Sequence, residues 1–335
     1  MSDRADDIPP VRDGPLVSVI MPVRNGAADV ANAVRCVLGQ TWECLELIVI
    51  DDGSEDETHA VLAAFGDLRV RVVSAPDRGL VAALRHGTSI AHGDLIARMD
   101  ADDECEADRI ERQVAFMASH AAVVVVGSSF EVVDTDGGHV RFEPALENDA
   151  DLRRELFVRN PLGHGTTMIR ASALDAVGGY ESTFAHAEDY DLWVRLATVG
   201  ELAALPEPLY RWRRHDGSTS ALHRRAQVAS TEQIQAGLWR RPPDVLAADE
   251  IRERLIGYRR EPACGGALTD RFLQVQLAVA FQACRRRHMR LAVTQVAAVV
   301  RADRSALPAI FWFVVTGGRH VSRRSVTARL IGRRR

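Results

Sequence analysis

Acidic side chains form two clusters in the first third of the chain, and their spacing suits the binding of a cation. Asp51 and Asp52 follow one apolar run, and Asp100, Asp102 and Asp103 follow another. Carboxylates this close together repel one another and raise each other's pKa values unless a cation lies among them. Their hard oxygen atoms suit Mg²⁺ or Mn²⁺, so a divalent cation that joins the protein to a diphosphate is the economical interpretation. The alternative is an acidic, solvated loop whose aspartates cap the next helix.

A third acidic segment, residues 188–193, opens a predicted helix. The positive end of a helix dipole favours carboxylates whatever their role, so helix capping is one interpretation of this segment. Leu192, Leu196 and Val199 have the spacing of a core face, and Asp189 falls on a different face of the same helix. A carboxylate that points from there into a cleft could act as a general base.

The elements that must position these residues are predicted by the apolar pattern. Continuous apolar runs predict four buried strands, at residues 16–21, 45–50, 70–73 and 95–99. Helical spacing lies between them, at about 30–38, 54–66 and 80–91. Strands that alternate with helices form a mostly parallel sheet, and α/β proteins bind ligands beyond the carboxyl ends of such strands. Both aspartate clusters are therefore expected at one edge of the sheet.

The predicted helices and strands follow a different order in the second half of the chain. Its pattern predicts a helix at 107–119, a strand at 123–126 and a hairpin at 130–142 around Asp136-Gly137-Gly138. Pro206 and Pro208 predict a loop before a strand at 209–212. Beyond about residue 222 the pattern is helical and rich in arginine.

Composition excludes several classes of enzyme. The 335 residues include 42 basic and 46 acidic side chains, for a net charge of −4, and every basic one is arginine. A chain without lysine cannot form a Schiff base, attach pyridoxal phosphate or build a Walker A loop. The five cysteines are not at zinc-ligand spacing, and neither a signal peptide nor a spanning apolar segment is predicted. We expect a cytoplasmic protein.

Four blocks of sequence resemble glycosyltransferase family 2, the inverting nucleotide-sugar transferases with the GT-A fold. They are V-S-V-I-M-P-V-R-N-G near the start, the stretch 40–58 with its I-D-D-G-S, R-M-D-A-D-D at 98–103, and A-E-D-Y-D-L-W-V-R-L at 187–196. The blocks occur in the family's order and cover about residues 16–220. Arg98 and Met99 take the place of a pair that is more commonly apolar in the family.

The resemblance implies roles on the donor side of the site. Pro22 and Arg24 occupy the loop that contacts the nucleotide, and Asp52 matches the carboxylate that binds the base. His215 resembles a late histidine near the donor diphosphate. Arg85 could meet the same diphosphate, or could instead form a surface salt bridge.

The resemblance also implies the metal-binding and catalytic groups. Asp100 and Asp102 match the D-x-D pair, with Asp103 beside them, and together they are expected to hold the ribose and the metal, Mg²⁺ or Mn²⁺. We assign Asp100 to the nucleotide-sugar, and Asp102 and Asp103 to the metal. Asp189 matches the catalytic base. The acceptor region is expected to include its neighbours Glu188, Asp191 and Trp193.

The implied protein is an α/β, GT-A, Rossmann-like glycosyltransferase with a mostly parallel sheet and flanking helices. Its donor is a nucleotide-diphospho-sugar, a UDP-sugar first of all, and its acceptor is a hydroxyl of a saccharide or of a lipid-linked molecule. We expect a flexible tail at 1–14, a catalytic domain at 15–220 and an Arg-rich helical region at 221–335. The nucleotide-binding part covers about 15–105, and the acceptor part covers about 106–220.

The C-terminal region is strongly basic. Residues 285–335 contain 13 arginines and one aspartate, and Phe311, Trp312 and Phe313 lie among them. Such a composition suits peripheral attachment to the anionic inner face of the plasma membrane, and a helical bundle packed on the catalytic domain is the alternative. A metal-dependent nucleotidyltransferase and a non-catalytic module that binds nucleic acid or membrane are the competing functions. We expect no nucleic-acid partner.

Overall fold

The computed structural model describes residues 14–75, 79–157, 159–184, 186–215 and 222–240, which lie in the compact unit Met1–Ala248. The strands are β1 (Val17–Val23), β2 (Leu45–Asp51), β3 (Val70–Ser74), β4 (Leu95–Arg98), β5 (Glu104–Cys105), β6 (Val123–Val133), β7 (His139–Glu143), β8 (Met168–Arg170) and β9 (Glu201–Arg213). The helices are α1 (Val30–Leu38), α2 (Thr58–Ala63), α3 (Leu80–Ser89), α4 (Arg109–Ser119), α5 (Asp149–Glu155), α6 (Ala171–Ala176), α7 (Glu188–Leu196) and α8 (Arg224–Arg240), with a 3₁₀ turn at His164–Thr166.

One sheet organises these elements, in the order β3-β2-β1-β4-β8-β6-β9-β5, with β7 paired to β6. The four N-terminal strands are parallel, as the alternating pattern predicts. In the second half β6 and β9 are parallel, whereas β8, β5 and β7 pair in the antiparallel sense. The predicted α/β class is confirmed, and the carboxyl ends of β1, β2 and β4 lie at one edge of the sheet.

The parallel half is held by a closely packed apolar core. Every residue of β1 is buried, as continuous apolar strands covered on both faces require. Helix α3 lies close to β1 and β2 at Gly87, where a Cβ atom would come within 2.7 Å of Cγ2 of Ile20 and 3.2 Å of Cγ1 of Ile50. This close approach fixes the strands whose ends carry the aspartates.

Two local predictions are wrong. Strand β9 continues through Pro206 and Pro208, where a loop was expected. Its pairing passes from Leu205 opposite Ser128 to Pro208 opposite Ser129, so the ladder has an irregularity that accommodates residues unable to donate a hydrogen bond. Helix α2 begins at Thr58, since Oγ of Ser54 accepts the N–H of Asn25 and does not cap the helix. The hairpin between β6 and β7 is confirmed, and its turn contains Gly137 at φ 82°.

Helix α8 is the described part of the predicted C-terminal helical region. Ile234 and Leu238 are its buried residues with apolar side chains. The expected N-terminal tail lies almost wholly outside the described residues, as do the aromatic and basic residues from 285 onward, and the domain boundary at 220 stays a prediction. Across the described part of the chain, no helix is both long and apolar enough to span a bilayer.

Replacing Gly87 by alanine is expected to destabilise the protein, because the added methyl group would contact stiff, fully buried isoleucines. Overpacking of this kind costs about 1–3 kcal/mol, which exceeds the gain in helix propensity. Gly237 is a matched control, since it is also helical but has no atom within 4 Å of its added Cβ position. Gly237→Ala should raise the free energy of unfolding in urea by roughly 0.5–1 kcal/mol, and a similar gain in Gly87→Ala would contradict the close packing.

Candidate active site

The loop after β4 turns its acidic residues in different directions. Asp103 is 2% exposed, and its two carboxylate oxygens accept the hydroxyl of Tyr210 at 2.8 Å and the backbone N–H of Arg213 at 2.7 Å. Burial and the charge of Asp100 raise the pKa of Asp103 well above its usual range. Asp103 therefore supports the loop from inside, and its predicted role as a metal ligand stays a prediction.

Asp102 faces the end of β9, where it meets His215. Oδ2 of Asp102 lies 2.8 Å from Nε2 of His215, and both side chains are half-buried. Burial and the neighbouring charge of Asp100 raise the pKa of Asp102. A carboxylate and an imidazole at this distance can share one cation, which would also offset the repulsion between the two aspartates.

Asp100 is held by a buried arginine. Oδ1 of Asp100 accepts Nη2 of Arg98 at 2.6 Å, and the Asp100 N–H donates to the hydroxyl of Tyr210 at 3.2 Å. Arg98 is 4% exposed, whereas the carboxylate of Asp100 is 36% exposed. The exposed part of Asp100 is available to a ligand at the sheet edge.

The ends of β1 and β2 form the neighbouring part of the same edge. Asp51 and Asp52 are both buried, Oδ1 of Asp51 accepts the N–H of Ser54 at 2.9 Å, and the Asp52 N–H donates to the Val23 carbonyl at 2.9 Å. Since β1 lies between β2 and β4, Asp52 and Asp100 follow strands that are two strand spacings apart, roughly 10 Å. Pro22 is buried within β1, and Arg24 just beyond it is exposed.

Helix α7 places two carboxylates at its first turn. Oδ2 of Asp189 accepts Nδ2 of Asn160 at 2.7 Å, and burial raises the pKa of Asp189 to about 6, with a further contribution from the charge of Asp100. Burial and the charge of Asp189 raise the pKa of Glu188 to about 7. The charges of the loop after β4 and of α7 therefore act on each other within one region.

The side chains of Asp191 and Trp193 contact neighbouring residues of the protein. Asp191 forms an ion pair with Arg195 at 2.8 Å, and Nη1 of Arg195 donates to the carbonyls of Val177 and Gly179. Asp191 thus supports the turn that follows α6. Trp193 is fully buried and packs edge-on against the ring of His164, at 6.0 Å between centroids.

No motif in the sequence singles out His164, Arg109 or Tyr210. Nε2 of His164 lies 2.8 Å from the hydroxyl of Tyr180, and burial lowers the pKa of His164 well below its usual range. The guanidinium of Arg109 lies 5.2 Å from the centre of the Tyr210 ring. Tyr210 lies within the predicted strand at 209–212, but the aspartates that it contacts are more than 100 positions away, so local spacing cannot reveal the contact.

Arg85 lies on a separate groove. It is exposed on α3 and, with Gly178, Gly179 and Tyr180, lines a groove of about 800 Å³ between α3 and the segment after α6. Arg85 is thus next to the turn at Gly178 and Gly179 that follows α6. Its contact with a donor diphosphate stays a prediction.

Asp102 and His215 are residue types that can bind metals, and their side chains contact each other at 2.8 Å. Among the described residues, no three or more His, Cys, Asp or Glu side chains converge on one point that could hold a metal. Mg²⁺ is commonly bound through one or two carboxylates, of which Asp102 could provide one, together with substrate phosphates, so the metal stays a prediction.

Comparison of the sequence with known proteins identifies its relatives. The sequence profile of glycosyl transferase family 2 matches residues 18–178. The putative glycosyltransferase EpsE of Bacillus subtilis is 36% identical over 211 residues, which cover 61% of this chain and 74% of EpsE. An uncharacterized glycosyltransferase of Haemophilus influenzae is 29% identical over 235 residues, covering 66% and 72% of the two chains. Chondroitin synthase of Pasteurella multocida is 28% identical over 208 residues, covering 62% of this chain and 21% of the synthase.

A solved structure has the same fold. The crystal structure of residues 1–349 of S. aureus TarS matches with a TM-score of 0.52 at 17% identity, over 88% of this chain and 92% of the TarS chain. The predicted GT-A fold is confirmed by this likeness.

Removing the hydroxyl group of Tyr210 should destabilise the loop after β4. In Tyr210→Phe, Oδ2 of the buried Asp103 loses its donor, which should cost about 1–3 kcal/mol of the free energy of unfolding in urea. The control is a double-mutant cycle with Asp103→Asn, in which the two losses should depart from additivity by at least about 0.5 kcal/mol. Additive losses would show that the contact does not stabilise the loop.

Proposed function

This chain belongs to glycosyltransferase family 2 and is a glycosyltransferase, and from this premise we propose that it moves a sugar from a nucleotide-diphospho-sugar to an acceptor hydroxyl, with inversion of the anomeric centre. The observation that carries the proposal is a chain of contacts from the loop of Asp100 to the helix of Asp189. Arg98 donates to Asp100 at 2.6 Å and, through its N–H, to the Thr167 carbonyl at 3.0 Å, and His164 of the same turn packs against Trp193 of α7. Relatives named chondroitin synthase and hyaluronan synthase support a saccharide acceptor and a role in polysaccharide synthesis.

The donor would bind at the edge formed by β1, β2 and β4. Asp52, Pro22 and Arg24 are assigned to the nucleotide, because they lie at the ends of the adjacent strands β1 and β2. Asp102 and His215 would hold Mg²⁺ or Mn²⁺, which when bound neutralises negative charge on the departing diphosphate. Asp100 lies next to Asp102, and we assign its exposed carboxylate to the nucleotide-sugar. A UDP-sugar is the donor that we would test first.

The acceptor would be activated by Asp189. An ionised carboxylate can accept the proton of a hydroxyl group as that oxygen attacks the anomeric carbon. Asn160 holds Asp189 from one side, which fixes the direction of the carboxylate. A base and a leaving group on opposite faces of the sugar give inversion in a single displacement, so no covalent intermediate with the enzyme is required.

Replacing Asp189 by asparagine should abolish transfer and leave donor binding intact. The loss of a general base costs about 10²–10⁴-fold in rate. The measurement is the release of UDP from a panel of UDP-sugars with mixed oligosaccharide acceptors and Mn²⁺, together with calorimetric binding of UDP. Asp108→Asn is the control, and it should retain most of the activity because Asp108 lies outside the site and pairs with Arg112. Normal turnover in Asp189→Asn would refute the role of base, and failure of the wild type to bind UDP with Mn²⁺ would refute the donor.

The pH dependence should report the same carboxylate. Because the pKa of Asp189 is about 6, kcat/KM should fall as the pH drops through about 6, well above the range of an ordinary aspartate.

A folded-state pKa above the unfolded value favours the folded protein at low pH, and this contribution is lost as the pH rises through about 6. The melting temperature of Asp189→Asn should therefore exceed that of the wild type at pH 8, and the difference should shrink towards pH 4. A constant difference across this range would contradict the raised pKa.

A further inference from the structure

Two cysteines that are far apart in the sequence meet beside the loop after β4. Cys36 lies on α1 and Cys105 ends β5, 69 positions later, yet their Sγ atoms are 3.3 Å apart. The Sγ atom of Cys36 also accepts the backbone N–H of Cys105 at 3.0 Å. Both residues are partly exposed, and both are free thiols. Glycosyl transfer uses neither thiol, so the pair is a chemically separate feature of the molecule.

The two thiols are close to the geometry of a disulfide bond. Since the sulfur atoms of a disulfide are about 2.05 Å apart, the pair at 3.3 Å must close by roughly 1.3 Å. Rotation of a cysteine side chain about its Cα–Cβ bond moves the sulfur atom by a comparable distance. The bond can therefore form without refolding of α1 or β5.

Gln40, just after α1, holds the two segments together through contacts of its own. Its side chain is buried, Nε2 donates to the Glu106 carbonyl at 2.9 Å, and Oε1 accepts the N–H of Ile110 at 3.0 Å. Neither contact involves a sulfur atom. The end of α1 is therefore fixed against the segment after β5 whether or not the cysteines are bonded to each other.

Cys36 has the character of the sulfur that reacts first. The hydrogen bond with the Cys105 thiol lowers the pKa of Cys36 to about 7, helped by the Cys105 backbone N–H and the charge of Arg109 and opposed by burial. The thiolate is the form of cysteine that reacts with oxidants. Cys36 therefore presents a thiolate at neutral pH, beside a second thiol that is already in contact with it.

We propose that Cys36 and Cys105 form a reversible disulfide bond, which joins α1 to the strand after the β4 loop when the protein meets an oxidant of the hydroperoxide class. In the first step the Cys36 thiolate attacks one oxygen of hydrogen peroxide, the O–O bond breaks, and Cys36 becomes a sulfenic acid while hydroxide leaves. In the second step the Cys105 thiol attacks that sulfur, the S–O bond breaks, and the oxygen leaves as water with the thiol proton. The two sulfur atoms together lose two electrons to the peroxide, and a dithiol reductant returns them.

The bond would act on the loop that carries Asp100 and Asp103. Cys105 lies opposite Tyr210 in the ladder of β5 and β9, and the Tyr210 hydroxyl contacts Asp103 at 2.8 Å. A covalent link at Cys105 therefore fixes the end of this loop to α1. The inference does not depend on the proposed function, because the bond is detected without any substrate.

A role in packing predicts a different result. Partly buried cysteines often serve only as small apolar side chains. In that case the two sulfur atoms remain thiols after treatment with peroxide, or each is oxidised without regard to the other. The two interpretations are separated by whether the sulfur atoms become bonded to each other.

The test is peptide mapping of full-length Cys44→Ser after treatment with hydrogen peroxide and alkylation of the remaining thiols. Cleavage after arginine releases Cys36 in peptide 36–69 and Cys105 in peptide 99–109, and the substitution leaves one cysteine in each. We expect the two peptides to be joined, and to separate on reduction with dithiothreitol. Absence of the joined peptides after oxidation would overturn the proposal.

Cys44 is suited to this substitution because it lies outside the pair. Its Sγ atom is 3.9 Å from the Gly14 carbonyl, and burial raises its pKa. If Cys44→Ser is not recovered folded, cleavage of the wild type after both arginine and glutamate separates Cys36 from Cys44 at Glu43 and carries the same comparison.

A second variant tests the order of the two steps. In Cys105→Ser, combined with Cys44→Ser, the serine keeps a hydroxyl donor beside Cys36 but cannot complete the disulfide. The sulfenic acid should then persist and be trapped on peptide 36–69 by dimedone, several-fold more than when Cys105 is present. Equal trapping with and without Cys105 would contradict the role of Cys105 as the partner.

The bond should also raise the stability of the fold. A disulfide between residues 69 positions apart restricts the unfolded chain, so oxidation of Cys44→Ser should raise the melting temperature by roughly 5–10 °C over the reduced form. Cys36→Ser treated with the same oxidant controls for oxidation of other side chains and should show no rise. A rise of equal size in Cys36→Ser, or joined peptides without any rise in Cys44→Ser, would refute the link between α1 and the loop.

Discussion

Several carboxylates must keep their charge in a region that is largely out of water, and the rest of the structure depends on how this is achieved. Asp100, Asp102, Glu188 and Asp189 come from two distant stretches of the chain, and burial or mutual repulsion raises the pKa of the last three. A cation is the general remedy for such a cluster. Arg98 provides one for Asp100, with which it forms a salt bridge at 2.6 Å, and the divalent metal that we propose at Asp102 would be a second.

A buried network of hydrogen bonds holds this charged region in shape. Tyr210 joins the loop after β4 to strand β9, and Arg109 joins helix α4 to the carbonyls of Arg98 and Thr167. Gln113 on the same helix donates to the Thr166 carbonyl at 2.8 Å. Since each of these groups is buried, losing one partner leaves another unsatisfied, which makes the network costly to break. Gly165 belongs to the same arrangement, because a Cβ atom there would lie 2.3 Å from the Tyr210 hydroxyl.

The sequence predicts the parallel half of the fold and the acidic stretches of the site well, because both are local signals. Continuous apolar runs fix β1, β2 and β4, and parallel pairing then brings the residues that follow them to one edge. The direction of each side chain is not local: Asp102 and Asp103 are neighbours, yet one meets His215 and the other turns towards Tyr210. The path of β9 through Pro206 and Pro208 likewise depends on the partner β6, whose register shifts to accommodate them. Contacts between residues far apart in the sequence decide these features.

The apolar core stabilises the folded protein, whereas the carboxylates of the site destabilise it. A carboxylate kept ionised above a raised pKa destabilises the folded state, so Asp189 and Glu188 are a cost at neutral pH. The compensation lies in the apolar core between β1, β2 and α3, where β1 is fully buried and Gly87 permits close contact. Because these strands end at the site, the packing that offsets the cost also fixes the positions of Asp52 and Asp100. The stability of the fold and the placement of the aspartates therefore depend on the same parallel strands.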